Sequence, residues 1–141
     1  MADESGKAPP GGVASGSQSP DEHRSPDLQG DRDAALLLDM LLAARDAQTF
    51  VADLDETVFL NSRLHQNAVI RSLEVIGEAA GRVSPGTVAA HPDIPWREIT
   101  GMRHRLIHGY GDVRLDLVWT VVHNHLPPLI DGLTRLVTES G

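Results

Sequence analysis

Arg103, His108 and Tyr110 stand close together in the order Arg-x4-His-x-Tyr. An arginine and a histidine are enough to cleave a phosphodiester without a metal. A guanidinium grips phosphate bidentately and neutralises charge as it develops. An imidazole moves a proton near neutral pH. His104 and Arg105 lie inside the same run. From Trp96 to Arg114 the chain sets Arg97, Arg103, Arg105 and Arg114 against only Glu98 and Asp112. This is a basic site on a chain whose formal net charge is −8. The overall charge speaks against a general nucleic-acid coat protein, but it does not describe one cleft. Nearly all the basic residues are arginine, Lys7 being the exception, a bias that GC-rich coding would also produce.

The spacing constrains how these groups can meet. Residues five apart on an ideal helix are about 140° apart around its axis. A single regular helix therefore does not pair Arg103 with His108. Either Gly109 and Gly111 unwind the helix end and redirect the imidazole, or a two-fold axis brings Arg103 of one chain to His108 of another. The second possibility predicts a homodimer. Other chemistries have less support. His104 and His108 have the i, i+4 spacing of two zinc ligands, but no third ligand stands at a recognisable spacing and an arginine flanks His104 on each side. No metal is expected. His123 and His125 do not share a helix face and read as surface or helix-partner residues. There is no G-x-S-x-G and no glycine loop to cradle phosphate, and no cofactor is expected. The chain has no cysteine, which excludes disulfides and thiolate metal sites.

The elements that must position the site read as helices. At 141 residues one domain is expected. Residues 1–32 are rich in glycine, proline and serine and hold no aromatic residue. They cannot bury enough apolar surface to offset their ordering entropy, so a disordered tail is expected there and a helical domain over 33–141. No stretch reads as a signal peptide or a membrane span, and a cytoplasmic location is the simplest expectation. The first helix is predicted from Asp33 to about Val51, capped by Asp31 or Asp33. Its apolar stripe is Leu37, Met40, Leu41 and Ala44, and Leu38 and Leu42 widen it toward a second partner surface. A second helix is predicted from about Asp55 to Arg82, bent near Asn61 and Ser62, with Leu64, Ala68, Ile70, Leu73, Val75, Ile76, Ala79 and Ala80 as its stripe. Gly77 costs about 1 kcal/mol there against alanine, which points to a close helix-to-helix approach. Arg71, Glu74 and Glu78 share a face of this helix. They form either an exposed ion-pair ladder or a site in which Glu78 orients an active-site cation. A third helix follows Pro95 and ends at Gly109. A fourth begins after Val113 and should kink or break at Pro127-Pro128. The fold expected is an all-α antiparallel bundle of four main helices with short connecting turns.

Three blocks together resemble the HepT family of the HEPN superfamily. They are Gln66-Asn67-Ala68-Val69-Ile70-Arg71-Ser72-Leu73-Glu74-Val75-Ile76-Gly77-Glu78-Ala79, His91-Pro92-Asp93-Ile94-Pro95-Trp96, and Gly101-Met102-Arg103-His104-Arg105-Leu106-Ile107-His108-Gly109-Tyr110. Val118-Trp119 and Leu126-Pro127 follow the third. The resemblance spans Ala34 to Val137. It implies a HEPN-like helical homodimer acting as a metal-independent endoribonuclease, the toxin of a type VII-like toxin–antitoxin pair. Arg103 and His108 match the family's catalytic residues. The implied antitoxin is an MNT-type nucleotidyltransferase that transfers AMP to the motif tyrosine, here Tyr110. Beside these, His104, Arg105 and Glu78 are expected as supporting residues toward RNA phosphate. The family commonly carries asparagine after the arginine; His104 stands there instead, and its ring can also donate a hydrogen bond. A second reading makes the chain a non-catalytic helical dimer that docks the nucleotidyltransferase and accepts AMP.

Overall fold

The computed structural model describes residues 20–106 and 113–140. The chain divides into two units, Met1–Arg32 and Asp33–Gly141. Among the described residues the secondary structure is helical and contains no strand, so the fold is an all-α, HEPN-like bundle. α1 spans Pro20–Val51. The start expected near Asp33 therefore falls inside a helix. Pro20 suits a first helical position, and Asp21 and Glu22 suit a first turn. Residues 1–19 of the expected tail lie outside the described residues. α1 buries Leu37, Met40, Leu41 and Ala44 as their spacing predicts, and extends the stripe through Ala47 and Val51. Leu38 and Leu42 remain 42% and 48% exposed.

Asp33 does not cap α1. Its carboxylate is buried. It accepts the Ser84 backbone N–H at 3.0 Å, the Ser84 hydroxyl at 2.5 Å and the Thr87 hydroxyl at 2.6 Å. Ser84 is the N-cap of α4 (Pro85–Ala90). Asp33 thus brings a carboxylate to the start of α4, where backbone donors and the helix dipole favour negative charge.

The helix expected from Asp55 to Arg82 is two helices. α2 (Glu56–Leu60) starts where the Asp55 carboxylate accepts Val58 N–H at 2.9 Å. α3 (Arg63–Arg82) starts at Ser62, whose hydroxyl accepts His65 N–H at 3.4 Å. A second cap inside the run is enough to end one helix and begin another. The core stripe of α3 is Val69, Leu73, Ile76 and Ala80, an i, i+4, i+7, i+11 series. Leu64, expected in that stripe, is 76% exposed. It lies five residues before Val69, about 140° around the helix from it.

The third expected helix is also divided. α5 (Trp96–Thr100) and α6 (Met102–Leu106) meet at Gly101. Trp96, Ile99, Met102 and Leu106 are buried. Trp96 Nε1 donates to His91 O at 2.9 Å, which ties the His91–Pro95 loop to the core. The last segment does not break at its prolines. α7 (Leu115–Thr120) passes through a π-helical turn, Val121–His125, into α8 (Leu126–Ser140). Leu126 N–H reaches Val121 O, five residues back. Pro127 and Pro128 lack the N–H groups that an α-helical ladder would use. A widened turn accommodates them without ending the helix. α3 packs against α2, α5, α6 and α7, and Phe59, Met40, Ile76, Leu126, Leu133, Val69 and Val118 are the largest fully buried side chains.

The Asp33 cluster should be a strong point of the fold. Replacing Asp33 by Ala leaves donors on buried Ser84 and half-buried Thr87 without this acceptor and should cost about 1–3 kcal/mol. Urea denaturation should show a lowered midpoint with unchanged slope, and Asp33→Asn should lose less than Asp33→Ala.

Candidate active site

The site is built on the contact between α3 and α5. A Cβ at Gly77 would stand 3.3 Å from Ile99 O, and one at Gly81 would stand 3.8 Å from Thr100 Cγ2. The close approach read from Gly77 is therefore made, and its partner is the backbone of α5. Thr100 ends α5, and Gly101 N–H returns to Arg97 O at 2.9 Å before α6 begins. This turn sets α6 against α3.

A cleft of about 370 Å³ opens beside this contact. α3 contributes Ile70, Arg71, Leu73, Glu74, Gly77 and Glu78; Thr100, Met102, Arg103 and Leu106 face them, and Val113 and Val118 close the lining. The wall is apolar at its base and charged at its rim. Arg103 Nε lies 3.8 Å from Glu74 Oε2, and Arg71 Nη1 lies 4.0 Å from Glu74 Oε1. Each oxygen of one carboxylate therefore faces one guanidinium. The arginine side chains are 74% and 71% exposed and Glu74 is 34% exposed, so solvent screens both pairs.

The placement of the expected site residues is uneven. Arg103 lines the cleft. His108 and Tyr110 lie outside the described residues. The residues that bracket their segment, Leu106 and Val113, both line the cleft, and Arg114 N–H donates to Leu106 O at 2.7 Å. Both flanks of that segment therefore stand at the cleft wall. Glu78 also lines the cleft, but the carboxylate that meets Arg103 is Glu74, one turn earlier. Arg105 turns elsewhere: its Nη2 donates to Glu98 O at 2.9 Å, and it lines a separate pocket with Pro95, Ile99 and His125. His104 is exposed. Arg71 and Glu74 share a face with Glu78 in the sequence, but nothing in their spacing says which carboxylate the next helix will meet. Beyond the segment, Arg114 holds Asp116 through contacts of 3.2 and 3.0 Å. That hydrogen bonding is the main reason the Asp116 carboxyl sits below its ordinary pKa.

The ribonuclease HepT-like family matches residues 40–136. The chain belongs to the HepT-like family. It is 37% identical over 95 residues to "Putative RNase MJ1380" of Methanocaldococcus jannaschii, covering 67% of this chain and 87% of that protein. It is 33% identical over 105 residues to "Putative RNase MJ0127" of the same organism, covering 74% and 87%. It is 41% identical over 78 residues to "Probable ribonuclease HepT" of Thermococcus cleftensis, covering 55% and 71%. No solved structure matches the chain significantly. The HepT-like match takes in α3, α5, α6 and the segment between α6 and α7, and so includes every residue of the cleft. Among the described residues, no helix is long and apolar enough to cross a membrane.

Two outcomes follow from this geometry. Gly77→Leu should force α5 away from α3 and destabilise the protein by about 1–3 kcal/mol, measured by thermal unfolding, whereas Gly86→Ala, which meets nothing within 4 Å, should not. The Asp116 carboxyl should titrate below the ordinary aspartate value by NMR and move back toward it in Arg114→Gln. A lowered carboxyl pKa favours folding above its ordinary value, and that contribution fades as pH falls through the lowered one.

Proposed function

We propose that this HepT-like chain is a metal-independent endoribonuclease in which Arg103 and His108 carry the chemistry. One observation supports this most directly. Arg103 lines a cleft whose wall also holds both residues, Leu106 and Val113, that bracket the segment bearing His108 and Tyr110. Family membership adds the reaction class, since relatives carry ribonuclease names. His108 takes the proton from a ribose 2′-hydroxyl, whose oxygen then attacks the adjacent phosphorus. Arg103 neutralises the charge gathering on the non-bridging oxygens. The bond to the 5′-oxygen breaks, that oxygen leaves with a proton, and a 2′,3′-cyclic phosphate remains. Because the nucleophile belongs to the substrate, RNA is cut and DNA is not. The five-residue spacing of Arg103 and His108 favours a homodimer in which each cleft draws on both chains.

The same cleft explains how the enzyme would be switched off. The partner is a nucleotidyltransferase antitoxin of the MNT type, acting on the toxin half of a toxin–antitoxin pair. The Tyr110 phenol attacks the α-phosphorus of ATP; a tyrosine O–P bond forms, pyrophosphate leaves, and the phenolic proton passes to a base of the partner. AMP on Tyr110 adds bulk and negative charge to a segment bracketed by cleft residues and repels substrate phosphate.

The decisive assay is RNA cleavage in EDTA. Wild type should cut, and His108→Ala and Arg103→Ala should each lose at least about a hundredfold in rate while keeping native circular dichroism and dimer mass. Full activity in a folded His108→Ala protein would remove the catalytic assignment. Absence of cutting by wild type, together with AMP acceptance, would leave the non-catalytic acceptor reading. For the switch, intact-mass analysis after incubation with the antitoxin and ATP should show one AMP per chain in wild type and none in Tyr110→Phe.

A further inference from the structure

We infer that Arg71 is a second phosphate-binding residue of the cleft, and that Glu74 occupies the place of the substrate phosphodiester when the cleft is empty. The inference rests on the ribonuclease reading and assigns two residues of α3 to it.

Glu74 stands between two cations. Its two carboxylate oxygens face two different arginines, Arg103 at 3.8 Å and Arg71 at 4.0 Å. A phosphodiester is chemically close to such a carboxylate at the point of contact. It carries one negative charge shared over two oxygens, and arginine meets both groups with the same planar fork. Two guanidinium groups that converge on one carboxylate can therefore converge on one phosphate.

The contacts are also of the right strength to be exchanged. Distances of 3.8 and 4.0 Å are ion pairs rather than close hydrogen bonds. Exposed pairs of this kind contribute little to stability. A permanent structural carboxylate in this same protein has a different character: Asp33 is buried and accepts hydrogen bonds of 2.5–3.0 Å. Glu74 instead sits at the rim of an open cleft, where its side chain can turn away. Substrate binding then replaces one anion by another between the same two cations. The arginines do not stand bare in the free protein, which matters because two adjacent unneutralised guanidinium groups repel each other.

The test uses a short fluorescein-labelled oligodeoxynucleotide, which offers phosphates and cannot be cut by the proposed chemistry because it lacks the 2′-hydroxyl. Anisotropy titrations across a range of salt are run on the full-length protein, with RNA cleavage measured in parallel. Glu74→Gln removes the competing charge and should bind roughly two- to tenfold more tightly than wild type. Arg71→Gln should bind about tenfold more weakly at low salt. Its slope of log affinity against log salt should be shallower by at least about 0.7, one phosphate contact per bound strand. Arg71→Lys should recover part of the loss. Both residues are solvent-exposed enough that the thermal midpoint should not move.

Weaker binding by Glu74→Gln would overturn the inference, because the carboxylate would then be holding Arg103 in place rather than standing in for substrate. An unchanged salt slope in Arg71→Gln would overturn it as well. So would a wild type that cuts RNA but does not bind the oligodeoxynucleotide. Each of these leaves the ribonuclease reading intact, since wild-type cleavage and its loss in His108→Ala are scored separately. A wild type that neither binds nor cuts would remove both.

Discussion

The close backbone approach at Gly77 is the constraint on which the site depends. A helix interior normally keeps its neighbour at the distance of two side chains. Here the α5 carbonyl of Ile99 comes so near that even a methyl group at position 77 would be tight. That contact fixes where α5 ends, and hence where Gly101 turns the chain and where α6 presents Arg103. The face of α3 beside Gly77 carries Arg71, Glu74 and Glu78, while the adjoining face is sunk in the core through Val69, Leu73, Ile76 and Ala80. One helix thus supplies both the anchor and the charged wall. The cost of glycine in a helix, about 1 kcal/mol, is set against a close packing that a larger residue would strain.

The two carboxylates of greatest interest show how environment assigns a role. Asp33 is removed from water and matched by donors on Ser84 and Thr87, so it holds α1 to the start of α4. Losing it exposes the fold to the full desolvation cost of its partners. Glu74 is half-buried between cations at longer range, where water competes for every contact. The first arrangement suits permanence and the second suits exchange. A net charge of −8 makes the distinction more important, because an acidic chain that handles a polyanion must keep its cations available at one place without leaving them to repel one another.

The sequence was most legible where a local rule had no competitor. The α1 stripe through Leu37, Met40, Leu41 and Ala44, the new helix start at Asp55 and the close approach at Gly77 all follow from period, capping chemistry and the absence of a side chain. The misreadings have a common cause. Leu64 is apolar, but it lies about 140° around the helix from Val69, and apolar character alone does not place a residue in the core. Asp33 looked like an N-cap of its own helix, yet its partners are about fifty residues away in sequence, and no local rule reaches that far. Glu74 and Glu78 are equivalent in the sequence, one turn apart on one face. The choice between them is made by the register of α6 against α3, which depends on Gly101 and the α5 contact. The prolines at 127 and 128 announced a disturbance correctly but not its form, because a π turn and a break remove the same hydrogen bonds.

That division bears on specificity. The described rim of the cleft offers the guanidinium groups of Arg71 and Arg103 to phosphate. Arginine contacts of this kind fix position and register and carry little sequence information. Under the proposed chemistry, discrimination between RNA and DNA then comes from the reaction step, through the 2′-hydroxyl, and not from binding. On that proposal, a site of this design would take any strand whose phosphates reach the arginines and cut those that bring their own nucleophile. Reach of that kind would be a hazard to the cell that makes it, and would give a physical reason for the proposed control to act at the cleft itself. Under the proposed modification, a negative charge on Tyr110, between the cleft residues Leu106 and Val113 in sequence, would oppose the same electrostatic term that favours phosphate.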